Sequence, residues 1–458
     1  MNDLPAHWLA SPTRVHLIGV GGVGMAGVAR LLQQGGFVLS GSDTAPNRLT
    51  EGFQAKGGRF FRGHAVAHLD DDVVWAVRTP AVGEDNPEVA ALRARHIPVF
   101  ARGDVLAAFS RQRQTVAVAG AHGKTTTSAM LTHLLRNAGI ECGYAIGGET
   151  GFPGRVGDAG TSPWFVCEAD ESDGTLVQYA PEIGVLTHVE WDHVERFSSE
   201  AALMRCYRAF ARRCGTLVVR ADDALAMEIA ADHPRVIRVG ENPKLLSAQS
   251  DPTGQEMEVE VDGQISRLRL PLPGKHQAWN ALLAITAAHC ACGVSRFDLS
   301  DFVSVGRRFE RHEVAGVTVI HDYAHHPTEV RALMDSVRAL GDRRVVAAFQ
   351  PHRYSRTRHL LEGFADAFRG VASLHLLPVY AASEGRERGV DSDALAVCCR
   401  QRNPGLAVGF HRSRTELAGA VMKELGPEDI FMVVGAGDIL MVVPMILEQL
   451  KEKEIAHA

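Results

Sequence analysis

The sequence predicts an α/β protein built from doubly wound parallel sheets. Three separate segments each open with an apolar, strand-like run that passes through a turn into a helix-like pattern. Two of these turns are glycine-rich and sit between strand and helix, where phosphate-binding loops occur. A length of 458 residues suits about two to four domains at ~100–200 residues each.

The first segment opens with Val15-His16-Leu17-Ile18-Gly19, continues through glycines and takes on helical spacing from Met25 to Leu32. Apolar runs at Phe37–Leu39 and Val73–Val77 follow, and the segment ends near residue 108. The second begins with Thr115-Val116-Ala117-Val118-Ala119 and a helix from about Thr125 to Ala138. Phe165–Glu168 and Ile183–Thr187 read as buried strands with polar ends, where ligands collect in open α/β sheets. Met257, Val259 and Val261 alternate with acids, Asp262-Gly263 reads as a turn, and Ile265, Leu268 and Leu270 follow. The broken alternation after Ile265 predicts a hairpin whose register changes past the turn. Helical spacing resumes from about Gln277 to Cys290.

The third segment starts near Gly316. Its strand candidates are Val317–Ile320, Val345–Phe349, Leu374–Val379 and Phe431–Val434. Helix-like stretches at about Pro327–Leu340, Thr357–Phe368 and Arg414–Leu425 lie between them.

The composition narrows the function classes. Hydrophobic residues at 46% and charged residues at 22% describe a globular chain rather than a disordered one. A formal net charge of −6 argues against a general nucleic-acid binder. No run approaches the ~20 apolar residues that span a bilayer. The start of the chain lacks a basic stretch followed by an apolar core, so no signal peptide is read. The eight cysteines form no CxxC pair, which predicts free thiols in a reducing cytoplasm rather than a zinc site or disulfide framework.

The firmest motif is Gly120-Ala121-His122-Gly123-Lys124-Thr125-Thr126, a shortened relative of the GxxxxGK(S/T) loop. Glycines let backbone N–H groups turn around phosphate oxygens, and the helix N-terminus adds favourable potential for an anion. Lys124 is placed to reach phosphates, and the Thr125 hydroxyl to meet Mg²⁺. A second cluster satisfies GxGxxG through Gly19, Gly21 and Gly24, with Gly22 between them. Asp43 stands where a dinucleotide site would place an acid. The same turn would hold any diphosphate, so NAD and a UDP-sugar both stay open.

Glu168-Ala169-Asp170-Glu171-Ser172-Asp173 and Asp192-His193 follow apolar strands and supply candidate Mg²⁺ ligands, with imidazole the less usual one. In the third segment, Asp322-Tyr323-Ala324-His325-His326-Pro327-Thr328-Glu329 and Phe349-Gln350-Pro351-His352-Arg353-Tyr354-Ser355-Arg356-Thr357-Arg358 each end a strand. Adjacent strand ends would bring the two together. Guanidiniums suit bidentate recognition of a carboxylate, and a neutral histidine can take a proton from an amine. His325 and His326 lack a complete zinc ligand set.

These motifs, in this order, resemble the Mur ligase family. The resemblance runs through GVGGVGM, GAHGKTTT, EADESDGT, PGKHQAWNAL, GRRFE, DYAHHPTEV, FQPHRYSRT and GAGDI, nearly the whole chain. It implies three α/β domains: a Rossmann-like UDP-substrate domain over 1–108, a central P-loop ATPase domain over 109–313 and a Rossmann-like amino-acid-binding domain over 314–458. Lys124, Thr125 and Thr126, with Gly120 and Gly123, would bind ATP phosphate, and Thr125, Glu168 and His193 would sit at the magnesium. His276 and Asn280 resemble the adenine-contacting motif, Arg308 the interdomain arginine, and Asp322 a residue that reaches nucleotide. Tyr323, His325, Arg353 and Arg356 resemble the amino-acid site.

The implied reaction joins L-alanine to UDP-N-acetylmuramate through an acyl phosphate, in peptidoglycan precursor synthesis. His325 or His326 would assist deprotonation of the amine. The implied setting is cytoplasmic, with no nucleic-acid partner and no membrane insertion. Two departures stand out. Arg78-Thr79 replaces serines common in the family. The segment His188–Glu195 precedes a stretch without lysine, with Arg208 near the position where related ligases carry a modified lysine, so no carbamylated lysine is expected. Three alternatives remain: a recycling ligase that attaches an intact tripeptide, an NAD-dependent oxidoreductase, and a noncatalytic nucleotide-binding regulator.

Overall fold

The structure, a computed structural model, describes residues 4–152, 156–194, 196–382, 384, 385, 387 and 389–457. Glu195, the last residue of the segment quoted above, lies outside them. The chain divides into two compact units. The first is Met1–Ser247 with Met257–Arg269 and Ala278–Val305; the second is Ala248–Glu256 with Leu270–Gln277 and Gly306–Ala458.

The first unit contains two sheets. One is built from β1 (Arg14–Ile18), β2 (Val38–Asp43), β3 (Arg59–Arg62), β4 (Val73–Arg78) and β5 (Val99–Ala101), all parallel, in the order β3-β2-β1-β4-β5. The order reverses direction at β1, so the glycine turn after Ile18 opens at a topological switch point. Fully buried Trp75 meets Phe37 and Phe100 edge-on in the core behind it.

The other sheet comprises β6 (Gln114–Ala119), β7 (Gly143–Ala145), β8 (Gly157–Asp158), β9 (Trp164–Glu168), β10 (Ile183–Leu186), β11 (Thr216–Arg220) and β12 (Val236–Val239). Its order is β12-β11-β10-β6-β9-β7-β8, parallel except for the β7–β8 pair. Strand β6 is central, with Val116 to Ala119 fully buried, and its C-terminal end is again a switch point.

Strands β13 (Lys244–Asp251), β14 (Gly254–Val261) and β15 (Gln264–Leu270) form a small separate sheet. The turn is made by Asp262 (φ 49°) and Gly263 (φ 77°), as a tight hairpin requires. Leu268 and Leu270 are buried on one face of β15, while Gln264 and Ile265, next to the turn, are both exposed, Ile265 at 63%.

The second unit contains β16 (Glu310–Val314), β17 (Val317–Asp322), β18 (Val345–Phe349), β19 (Ser373–Leu376), β20 (Ala407–Phe410) and β21 (Ile430–Val434). Their order is β16-β17-β21-β18-β19-β20, with only β16 antiparallel. Strand β16 pairs with β17, so this sheet begins ahead of the expected domain start at 314.

Three expectations are corrected here. The ends of β17 and β18 are not adjacent, because the last strand, β21, inserts between them. The predicted strand Leu374–Val379 leaves the sheet after Leu376, just before Pro378, which has no N–H for a ladder. The predicted helix Thr357–Phe368 is two, Tyr354–His359 and Leu361–Ala367, broken where Leu360 leaves helical geometry at φ −114°. The break lets the first piece bury Arg356 while the second turns Phe364 into the core.

Candidate active site

Strand β6 delivers the chain into Gly120-Ala121-His122-Gly123 and then the helix Lys124–Asn137. Gly120 has φ +127° and Gly123 φ +81°. A Cβ on Gly120 would lie 2.3 Å from Thr187 Oγ1, and one on Gly123 would lie 2.5 Å from Asn280 Oδ1. Conformation and space therefore both demand glycine. The Ala121 N–H donates to the His188 carbonyl at 2.7 Å, tying the loop to the chain beyond β10. The Lys124 ammonium folds back over the loop, donating to the Gly120 carbonyl at 2.6 Å and to the Glu171 carboxylate at 3.0 Å. Burial opposes its charge, but Glu171 and Asp170 hold the ammonium above its ordinary range. Thr125 and Thr126 sit buried in the first helical turn.

Glu168 ends β9 and accepts from the Gly147 N–H at 2.6 Å and from the Thr125 hydroxyl. Burial pushes its carboxyl above the usual range. His193, held at φ 56°, points Nε2 to within 3.4 Å of Glu171 Oε1. Non-glycine residues in this region carry strain that tends to collect at functional sites. Donor atoms of Asp170, Glu171 and His193 all lie within 4.8 Å of one another. Burial works against the Asp170 charge, yet Lys124, Arg102 and His193 keep its carboxyl below the usual range. Carboxylates buried or partly buried next to a phosphate-type loop, balanced by Lys124 and Arg102, are a donor set that fits a hard divalent cation.

The N-terminal glycine turn lies in the same unit. Gly19 has φ +86°, its carbonyl accepts from the Gly22 N–H, and Gly22 caps the helix Val23–Gln34. Asp43 accepts from the Gly21 N–H at 2.8 Å, so its carboxylate closes the turn. A Cβ on Gly24 would lie 2.2 Å from an Arg102 guanidinium nitrogen. That guanidinium is 3.5 Å from Asp170 Oδ2, linking the Gly24 turn to the acidic run. Sequence reasoning missed Arg102. Its only signal was a cation immediately after a strand end. Arg78, a departure from the family pattern, bonds locally to the Val82 carbonyl and Glu84. Arg208 pairs with Glu228.

In the second unit, Asp322 at the end of β17 accepts from the N–H groups of Phe309 and Ala324, both at 2.7 Å, and burial raises its pKa. The Arg308 guanidinium lies over the Tyr323 ring at 5.3 Å and 3.6 Å from Glu329. His276 shares the field of Arg308, Glu329 and Asp335, and burial pushes its imidazole down to about 4. His326 is buried and caps the helix Pro327–Arg338. His325 is partly exposed, with Nδ1 3.4 Å from Glu329 Oε2 and its ring 5.9 Å from His352.

The two polar clusters thus meet after all, by way of β21. The Gly435 N–H donates to the Asp322 carbonyl, and the Gln350 N–H to the Val434 carbonyl, each at 3.1 Å. Arg353 adopts φ +71° with its N–H bound to the Tyr380 carbonyl at 2.8 Å. Arg356, 3% exposed, turns its guanidinium to within 3.5 Å of His352.

Three domain profiles match the chain in sequence: the Mur ligase family catalytic domain over 14–114, the Mur ligase middle domain over 118–288, and the Mur ligase glutamate ligase domain over 307–437. A UDP-N-acetylmuramate–L-alanine ligase of Anaeromyxobacter sp. (strain Fw109-5) is 37% identical, covering 95% of this chain and 97% of its own. The chain belongs to the Mur ligase family.

A second relative carrying the same ligase name, from Streptomyces avermitilis, is 36% identical over 96% of this chain and 98% of its own. Among solved structures, the UDP-N-acetylmuramate–alanine ligase of Thermotoga maritima is 25% identical with a TM-score of 0.80, covering 96% of this chain and 100% of that one. A murein peptide ligase from Psychrobacter arcticus, 21% identical, shares the fold with a TM-score of 0.71 over 96% and 99% of the two chains. This Mur ligase therefore has the three-domain α/β architecture of its family and is an ATP-dependent amide-bond-forming ligase. All eight of its cysteines are free thiols. Among the described residues, no helix is long and apolar enough to cross a membrane.

Proposed function

We propose that this Mur ligase joins L-alanine to the carboxyl group of UDP-N-acetylmuramate at the expense of ATP, in cytoplasmic peptidoglycan precursor synthesis. The observation that carries the reading is near-full-length similarity, at 36–37% identity, to relatives named for that ligation. The lysine-centred loop and the arginine-rich strand ends supply chemistry suited to it. The domain limits 1–108, 109–313 and 314–458 belong to the proposal, with the last limit drawn back ahead of β16.

Gly120, Gly123, Lys124, Thr125 and Thr126 hold the phosphates, with His276, Asn280 and Asp322 assigned to the rest of the nucleotide. Gly19, Gly21, Gly22 and Gly24 cradle the UDP diphosphate, with Asp43 bracing the turn. Thr125, Glu168 and His193, joined by Asp170 and Glu171, would hold Mg²⁺, which would offset phosphate charge when bound. Lys124 adds a fixed cation where charge develops on the transferring phosphoryl group. The substrate carboxylate attacks the γ-phosphate of ATP, forming an acyl phosphate and releasing ADP, and the alanine amine then attacks the acyl carbon and displaces phosphate. Tyr323, Arg353 and Arg356 form the alanine site, and Arg308 orders it through Tyr323. His325 takes the amine proton, because His326 is occupied as a helix cap.

Purified protein with ATP, Mg²⁺ and UDP-N-acetylmuramate, offered a panel of amino acids and the murein tripeptide, tests this. Alanine-dependent phosphate release with the matching product mass is expected. Release with tripeptide and none with alanine would replace the reading with a recycling ligase. ATP binding without any ligation would favour a regulator, and hydride transfer with NAD an oxidoreductase.

A further inference from the structure

A second cluster of ligand-type side chains lies on the β16–β17 hairpin of the second unit. Glu310 and His312 are two residues apart on β16, so their side chains leave the same face of the strand. Glu310 stands directly opposite His321 on β17, with His312 diagonal to it. Strand geometry thus projects one carboxylate and two imidazoles to one side.

The donor atoms converge. The two Nε2 atoms are 3.5 Å apart, His321 Nε2 is 3.4 Å from Glu310 Oε2, and His312 Nε2 is 3.9 Å from Glu310 Oε1. Ligands ~2.0–2.2 Å from a tetrahedral zinc ion stand roughly 3.3–3.5 Å from each other. His321 Nε2 stands at that spacing from both His312 Nε2 and a Glu310 oxygen, and one donor atom from each of the three residues lies within 4.8 Å of the others. The rings are nearly parallel, 6° apart, and approach each other through their Nε2 edges. His321 Nδ1 is buried with no hydrogen-bond partner among the described residues, which leaves Nε2 as its bonding atom.

A carboxylate binds a metal as its anion and an imidazole through a neutral ring nitrogen, and this cluster offers one of the first and two of the second. The Lys451 ammonium, on the helix Val442–His457, opposes a bound cation and moderates affinity.

We propose that Glu310, His312 and His321 bind one zinc-class divalent cation and thereby clip edge strand β16 to β17. Two imidazoles and one carboxylate favour zinc or cobalt over magnesium, so the cation used with ATP would not compete. The site is separate from the Asp170–Glu171–His193 set and independent of the substrate assignment.

The test uses the full chain, stripped with chelator and titrated with Zn²⁺ or Co²⁺ in millimolar Mg²⁺. Wild type should bind about one equivalent more than His312→Ala or His321→Gln, with visible Co²⁺ absorption of tetrahedral type lost in both. Zinc should raise the melting temperature of wild type but not of His312→Ala, because ligand bound only to the folded state stabilises it. Lys451→Ala should tighten binding several-fold. His312 is on an edge strand, so His312→Ala gives the deciding result should His321→Gln fail to fold. Equal stoichiometry, affinity and cobalt spectrum in wild type and folded His312→Ala would overturn the proposal.

Discussion

The Glu171 carboxylate lies 3.0 Å from the Lys124 ammonium and holds it across the loop toward the Gly120 carbonyl. Glu171 itself is 1% exposed, so the pair is shielded from solvent and its geometry is set by packing. His193 approaches the same carboxylate at 3.4 Å. One buried acid thus aims the phosphate-loop lysine and lines the candidate cation site.

Glu171→Gln keeps the shape and removes the charge. Loss of a preorganised electrostatic contact of this kind lowers kcat by about 100-fold or more. Lys124→Ala should abolish product. Phosphate-release kinetics check both, and near-normal turnover in either would remove that residue from the phosphate machinery.

Gly123→Ala should damage both stability and nucleotide binding. A left-handed backbone costs a non-glycine residue roughly 1–2 kcal/mol. The new methyl would also press on Asn280, 2.5 Å away. Thermal unfolding should show the loss, and nucleotide titration should show weakened ATP binding. Adding Asn280→Ala should recover part of the stability by relieving the contact, while the backbone strain remains. An unchanged melting temperature in the single variant would contradict the loop geometry.

Arg353→Ala should act on alanine rather than ATP. Losing a charge-assisted hydrogen bond costs ~1.5–3 kcal/mol, which corresponds to an alanine KM about 10- to 100-fold higher. Arg353→Lys should rescue only partly, because an ammonium lacks the planar fork. Steady-state kinetics with each substrate varied in turn will tell. An unchanged alanine KM would exclude Arg353 from that site.

His276 ties stability to pH. Burial lowers its imidazole from an ordinary 6.5 to about 4, with Arg308 acting the same way and Asp335 and Glu329 opposing. Between those pH values the unfolded chain carries a proton on this ring that the folded chain does not. Stability from this group is therefore fully present above about 6.5 and is lost as pH falls toward about 4. Calorimetry across that window should show a shallower decline in His276→Gln than in wild type. Parallel curves would mean the folded ring titrates normally.

What the sequence determined by itself is local. Strands such as Val345–Phe349 are legible because a run of small and β-branched apolar residues suits a fully buried parallel strand. The phosphate loop is legible because glycine, lysine and threonine must occur in fixed order between a strand and a helix. Its ligase meaning came from several such motifs read together.

Tertiary structure alone decided the rest. It placed β21 between β17 and β18, since strand order depends on pairings between distant segments rather than on local pattern. It turned Asp43 onto its own glycine loop and set Arg102 between Gly24 and Asp170. It put Glu171 beside both Lys124 and His193, where resemblance alone had pointed to Glu168. Each of these depends on which remote groups share a buried field, and that field exists only after the sheets have packed.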